Sequence, residues 1–231
     1  MPFRTKAAVL FIAAAVSLCS GCLSKAPRIS LPDFGGRHKT FSDWRDGDLI
    51  FQYSTRTGQS PVIAYATNSN LTHVGIIKTT AGGPVVVEAS QTVRETPLKE
   101  FIALGRDGAY SVYRVKGLTP ESAGRVLKAA RAYYGKPYDL FFRMDNSALY
   151  CSELPYKAFH TAGISLGNPQ KFSELNIHSA LVRTVFNARW KKHPDCARVK
   201  SASACWDIVL NQEIISPARI AQAGNVVQVF P

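Results

Sequence analysis

Leu149 to Gly163 reads LYCSELPYKAFHTAG, and the place of its proline decides how the segment folds. Inside a helix proline loses one backbone hydrogen bond and clashes with the carbonyl four residues back, so it is tolerated only in the first turn. Pro155 therefore puts the start of regular helix near Ser152, a residue type suited to a helix cap, and Gly163 suits its end. Cys151 then stands at the helix N-terminus. Free N–H groups and the helix dipole favour a thiolate there, and the same N–H groups can hold an oxyanion. A lone cysteine in this position can still be half a disulfide, a small buried hydrophobe, a metal ligand or a nucleophile. The compartment, the other cysteines and the available histidines separate these possibilities.

The 231 residues suffice for one domain with a sizeable core and a short tail. The chain opens on a different kind of segment. Arg4 and Lys6 precede an uncharged apolar run from Ala7 to Leu18, too short to span a membrane and suited to a signal peptide over residues 1–21. LCSGC follows and resembles a bacterial lipoprotein box, with Cys19 standing where leucine is usual. That resemblance implies cleavage before Cys22 and lipidation of Cys22; ordinary secretion with cleavage nearby is the alternative. Residues 22–40, rich in Pro, Gly, Ser and basic side chains, read as a lipid-anchored tether, leaving 41–231 as the folded domain. Several acyl chains would hold the protein stably on a membrane. Loss of Arg4 and Lys6 lowers the formal charge from +12 to about +10.

Export makes the remaining cysteines informative, because an oxidising compartment favours pairing. Cys196 and Cys205, with eight residues between them in one polar segment, are expected to form a disulfide. Cys151 is left as a free thiol. Among the mature cysteines no C-x-x-C occurs, the chain has no H-E-x-x-H, and of those cysteines only Cys196 has a histidine nearby, His193, so no metal partner is expected.

Strands are expected over 47–53, 73–79, 85–90 and 110–115, with turn-forming residues over 65–71 and a break at 81–84. After Thr119 the pattern turns helical. Thr119 caps, Pro120 takes the first position, Gly135 closes, and Val126, Ala130 and Tyr133 or Tyr134 share a face. The Cys151 helix follows, then a helix within 173–192, a short one within 216–224 and a last strand at 226–230. Strands first and helices afterwards give an α+β fold.

A thiolate also needs a proton acceptor that later serves as an acid. His38 lies in the tether. His160 is about 13 Å further along the Cys151 helix at 1.5 Å per residue, and His178 and His193 sit in polar surroundings. His73 heads the otherwise apolar HVGII, as a satisfied core residue or as a base. Glu88 ends the uncharged run VVVE, where a buried carboxylate requires a partner. A hairpin loop centred near Gly82 sets His73 opposite about residue 91, so contact with Glu88 needs an offset, a bulge or a diagonal pair. Asp48 and Asp139 read first as turn or capping carboxylates, and Tyr150 either lines the site or packs.

GDLIFQ (47–52), THVGII (72–77), EAS (88–90), GKPYD (135–139) and YCSEL (150–154) resemble, in this order, the circularly permuted papain-like amidases of the YiiX/YebB group, within the NlpC-type cysteine hydrolases. The blocks span roughly residues 44–163. Thr72, Pro155 and the cysteine-bearing stretch near 190–205 depart from the pattern without removing a site residue. The resemblance implies an antiparallel sheet or partial barrel packed on helices, with the nucleophile at a helix N-terminus. It further implies Cys151 as nucleophile, His73 as base and acid, and Glu88 as the group orienting the imidazole, with no cofactor. The expected function is a cysteine hydrolase that cleaves an amide bond through a thioester. Its substrate would be a peptide, a peptidoglycan peptide or an acylated amino acid of the envelope. It would be held by lipid in the outer membrane, facing the periplasm. A non-catalytic envelope-ligand-binding lipoprotein and a thioester-based acyltransferase are the alternatives. Export argues against nucleic acid as a partner. The basic residues Arg183, Arg189, Lys191, Lys192, Arg198 and Lys200 form either a surface for anionic lipid or a solvated face.

Overall fold

The computed structural model describes residues 40–56 and 58–231. The expected signal segment, Cys22 and the tether up to residue 39 lie outside the described residues. Among the described residues no helix is long and apolar enough to cross a membrane.

Six strands form one antiparallel sheet: β1 (Leu49–Gln52), β2 (His73–Lys78), β3 (Val85–Ala89), β4 (Val93–Pro97), β5 (Ser111–Val115) and β8 (Val226–Phe230). Their order across the sheet is β4-β3-β2-β1-β5-β8. The central strands β1 and β2 are covered on both faces, which explains why their sequences run apolar without alternation. On one face Leu49, Phe51, Val74, Ile76 and Val87 pack against α3 (Pro120–Arg131) and α4 (Glu153–Thr161) through Val126, Ala130, Leu154, Ala158 and Phe159. On the other, Ile50, Ile77 and Val86 pack against Phe101 of α2 (Leu98–Ala103) and against Trp44. The fold is α+β, as the order of strands and helices implies.

The start of α3 follows its sequence signals. The Thr119 side chain accepts from the Ser122 N–H, Ser122 reciprocates at Thr119, and Pro120 occupies the first turn. Several elements were not anticipated, among them α1 (Ser60–Thr67), β4, α2 and α6 (Ala202–Leu210). Residues 65–67, read as turn, belong to α1 (Ser60–Thr67), whose low amphipathicity conceals it. Strand β4 continues almost directly from β3, and α2 follows β4 without a break. The expected helix within 173–192 is α5 (Ala180–Arg189), and α6 (Ala202–Leu210) comes after it. The chain then forms β7 (Glu213–Ile214), which pairs with β6 (Gln170–Lys171), and the short helix α7 (Pro217–Ala221).

Cys196 and Cys205 are bonded to each other and are buried with Val209 among Phe172, Phe186 and Trp190. The bridge ties the segment after α5 to α6. Replacing both cysteines by serine should lower stability by about 2–3 kcal/mol, the chain-entropy value for so short a loop. The shift in urea midpoint at unchanged m-value measures it. Cys151 is the free, buried cysteine among the described residues.

Candidate active site

Cys151 lies two residues ahead of α4 and is 1 % exposed. Ser152 occupies the cap position, but its side chain does not cap the helix; Oγ donates to the Ile215 carbonyl at 2.8 Å. The Glu153 carboxylate reaches back ahead of the helix, accepting from the Tyr150 N–H at 3.3 Å and pairing with Lys157 Nζ at 2.6 Å. The turn that carries Cys151 is therefore held from both sides. Burial raises the Glu153 carboxyl to about 7 despite Lys157.

The sheet supplies the other partners. His73 opens β2 and pairs across β1 with Gln52. β2 and β3 pair as Ile76↔Val87, Ile77↔Val86 and Lys78↔Val85. Continuing this register sets Gly75 beside Glu88 and His73 beside Ser90, so His73 and Glu88 form a diagonal pair on one face. Gly75 makes the approach possible. A Cβ there would lie 2.2 Å from Val86 Cγ1 and 3.1 Å from the Val87 carbonyl oxygen. His73 Nε2 donates to Glu88 Oε2 at 2.5 Å. The other Glu88 oxygen accepts from Thr96 Oγ1 of β4 at 2.6 Å, and Arg56 Nη1 reaches both oxygens at 2.9 and 3.0 Å. Glu88 is thus a fully buried carboxylate with every lone-pair direction engaged. Burial alone would raise its pKa, but His73, Thr96 and Arg56 bring it to about 2.

Nε2 being committed to Glu88, Nδ1 is the imidazole nitrogen left to act on Cys151. The Cys151 Sγ lies 3.8 Å from the carbonyl oxygen of Thr72, the residue before His73. Burial by itself disfavours both charges. Their mutual attraction overcomes it, raising His73 to about 9 with the help of Glu88 and lowering Cys151 from its usual range. Thiolate and imidazolium are thereby favoured together, and the two groups titrate as one unit.

The sequence reading quoted Tyr138 within GKPYD without assigning it a part. Tyr138 borders the same cavity as His73, and its hydroxyl feels the charge of Cys151. Burial and the negative charge of Cys151 hold its pKa well above the usual phenol range, so the hydroxyl keeps its proton. The signal was the tyrosine thirteen positions before the cysteine; nothing in local sequence says that the intervening loop folds back. Asp48, Asp139 and Tyr150 have structural partners. Asp48 binds Arg114 at 2.7 and 2.8 Å, Asp139 accepts from the N–H groups of Phe141 and Arg143, and the Tyr150 hydroxyl accepts from the Ile215 N–H.

Two cavities flank the pair. One, of about 380 Å³, is bordered by His73, Tyr138, Arg56 and Ser90. The other, of about 60 Å³, has apolar walls and is bordered by Cys151, Phe172, Leu175, Val182 and Ile215. Ile63 of α1 borders both.

Comparison with known proteins places this arrangement. Protein YiiX of Escherichia coli K12, uncharacterized, is 33% identical over 203 residues, covering 87% of this chain and 90% of its own length. A solved structure, the crystal structure of metalloprotein yiiX from Escherichia coli O157:H7, is also 33% identical. It superposes with a TM-score of 0.71 over 81% of this chain and 98% of its own. The metalloprotein corrects the expectation that metal has no part, which rested on the lack of local ligand motifs in the sequence. Spacing along a chain does not report ligands gathered by the fold. Among the described residues no group of three or more His, Cys, Asp or Glu side chains is placed to hold a metal ion. Glu88 is already taken up by His73, Thr96 and Arg56. These residues do not fit a metal held by three protein ligands. Residues 43–230 match the model of the permuted papain-like amidase enzymes, the YaeF/YiiX, C92 family, and the chain belongs to that family.

Proposed function

We propose that the chain is an envelope-anchored cysteine hydrolase that cleaves an amide bond, with Cys151, His73 and Glu88 as its catalytic triad. The observation that carries the reading is the bond of His73 Nε2 to the buried Glu88 carboxylate, with the Cys151 thiol and the same imidazole each favouring the other's charge. The thiolate attacks the amide carbon, forming the S–C bond and moving the carbonyl π pair onto oxygen. The Cys151 N–H and the Tyr138 hydroxyl are the donors facing that oxyanion. On collapse the C–N bond breaks, and the imidazolium gives its proton to the departing nitrogen. Neutral His73 then takes a proton from water, whose oxygen attacks the thioester. Expulsion of the thiolate releases the acid and restores the imidazolium. Glu88 keeps Nε2 protonated, and so keeps Nδ1 turned to the sulfur throughout.

The test is a screen in which the purified chain and its Cys151→Ala variant meet cell-wall fragments and acyl-amide libraries, with products read by mass spectrometry. Cleavage by the first and not the second supports the reading. No Cys151-dependent product from any amide ends it.

The same proposal anchors the protein through lipid on Cys22 at the outer membrane, facing the periplasm. The charged n-region, the short apolar run and the small residues before Cys22 support it. Cys22→Ser should move the protein from the membrane to the soluble fraction with its thermal transition unchanged. Retention on the membrane would instead make the basic residues over 183–200 the anchor.

A further inference from the structure

Of all the features outside the triad, the larger cavity beside it has the most to say about substrate. Its border includes Arg56, Ser90, Gln91, His73 and Tyr138, and no aspartate or glutamate. The Arg56 guanidinium is largely buried, and only Nη1 is used on Glu88; Nη2 has no hydrogen-bond partner. Ser90 Oγ is likewise buried and unpartnered. Unmet buried donors cost free energy, most of all on a charged group, unless something else meets them. Two of them border one cavity. An anion of carboxylate size is the complement of half a guanidinium and a hydroxyl.

The chemistry fixes which part of a substrate lies there. His73 borders this cavity, and Cys151 borders the apolar one. The nitrogen that leaves must meet the imidazolium, whereas the acyl group stays bonded to sulfur. Resting on the proposed amidase reaction, we infer that the leaving amine carries a small anionic group bound by Arg56 Nη2 and Ser90 Oγ. The acyl part would lie toward the apolar walls of Phe172, Leu175 and Val182. The substrate class is then an N-acylated amino acid, or an N-acylated amine with a phosphate in the same place, rather than a neutral acyl amide.

Octanoylglycine and octanoylglycinamide differ only in that charge and serve as the test pair, with N-octanoyl phosphoethanolamine as a third ligand. The full chain in detergent should cleave octanoylglycine or the phosphate compound with kcat/KM at least about tenfold above octanoylglycinamide, the effect of one charged hydrogen bond. Whichever anion is preferred identifies its source. Arg56→Gln and Ser90→Ala should each shrink that ratio, whatever they do to the absolute rate. Ser90→Ala leaves the Arg56–Glu88 pair in place, so a change in ratio there does not reflect a disturbed triad. Binding to Cys151→Ala by calorimetry needs no turnover, and it should show the same order of affinities. Equal cleavage and equal binding of charged and neutral ligands, or a preference untouched by both substitutions, would overturn the inference. If nothing is cleaved but the anionic ligand binds more tightly through Arg56, the subsite stands and the amidase reading falls.

Discussion

Cys151→Ala and His73→Ala should each reduce kcat/KM by about 10⁴-fold or more, and the double variant should be scarcely worse than either single one. Non-additivity follows from the geometry. The sulfur and the imidazole are coupled, and each favours the other's charged form. Without the imidazole the buried thiol loses what offsets its desolvation, and its pKa climbs; without the sulfur there is no nucleophile for His73 to serve. Binding should survive Cys151→Ala, because Cys151 borders only the smaller cavity and the larger one is lined without it. The pH profile carries the same signature. With His73 raised to about 9, turnover should fall as pH rises through that value and the leaving nitrogen loses its proton donor. The acid limb should lie below the usual thiol range, where the thiolate first forms. Additive losses in the double variant, or an acid limb at an ordinary thiol pKa, would remove the pair from the mechanism.

How much of this could be read from sequence depended on the range of the interactions. The edges of β2 and β3 and the start of α3 are set by neighbours a few residues away, and they were legible. Pro155 located the start of α4 to within a residue for the same reason. The expected close of α3 at Gly135 was not legible, because the helix ends at Arg131. Local signals were silent on α1, whose apolar residues do not line one face, and on β4, which follows β3 after only three residues and buries Val93 and Thr96 without strict alternation. Ser152 shows how a local rule yields to tertiary contact. It stands where a cap belongs, yet its hydroxyl is drawn to Ile215, sixty-three residues further on.

The candidate site divides in the same way. Cys151, His73 and Glu88 were visible as chemical oddities: an unpaired thiol in a chain expected to be exported, a histidine heading an apolar strand, and a carboxylate ending one. Their contact was not visible, because a centred hairpin loop misplaces His73 by one residue against β3. The actual register makes the diagonal pair. Arg56 and Tyr138 come from loops, where an arginine or a tyrosine excites no suspicion. Only the fold shows that one binds Glu88 and that the other faces the sulfur.

Glu88→Gln is the sharpest test of the third member, since it keeps the shape and removes the charge. The rate should fall by roughly 10²–10⁴-fold, large but short of the loss of nucleophile or base. The amide can still accept from Thr96 with one atom, but Arg56 Nη1 loses its counter-charge and Nε2 of His73 loses a carboxylate acceptor. Two shifts of opposite sign should follow. His73 is raised partly by Glu88, so its pKa should drop from about 9. Cys151 is lowered by the imidazolium, so its pKa should climb. The thiolate–imidazolium window therefore narrows from both sides, and the pH at which iodoacetamide alkylates Cys151 half-maximally should move upward. A carboxylate that merely satisfied Thr96 and Arg56 would act differently, because its loss would weaken the fold and leave the thiol titration in place. Alkylation against pH, with urea unfolding of the same two proteins, separates these cases without knowledge of the substrate. An unmoved titration in a folded Glu88→Gln protein would leave Cys151 and His73 as a dyad.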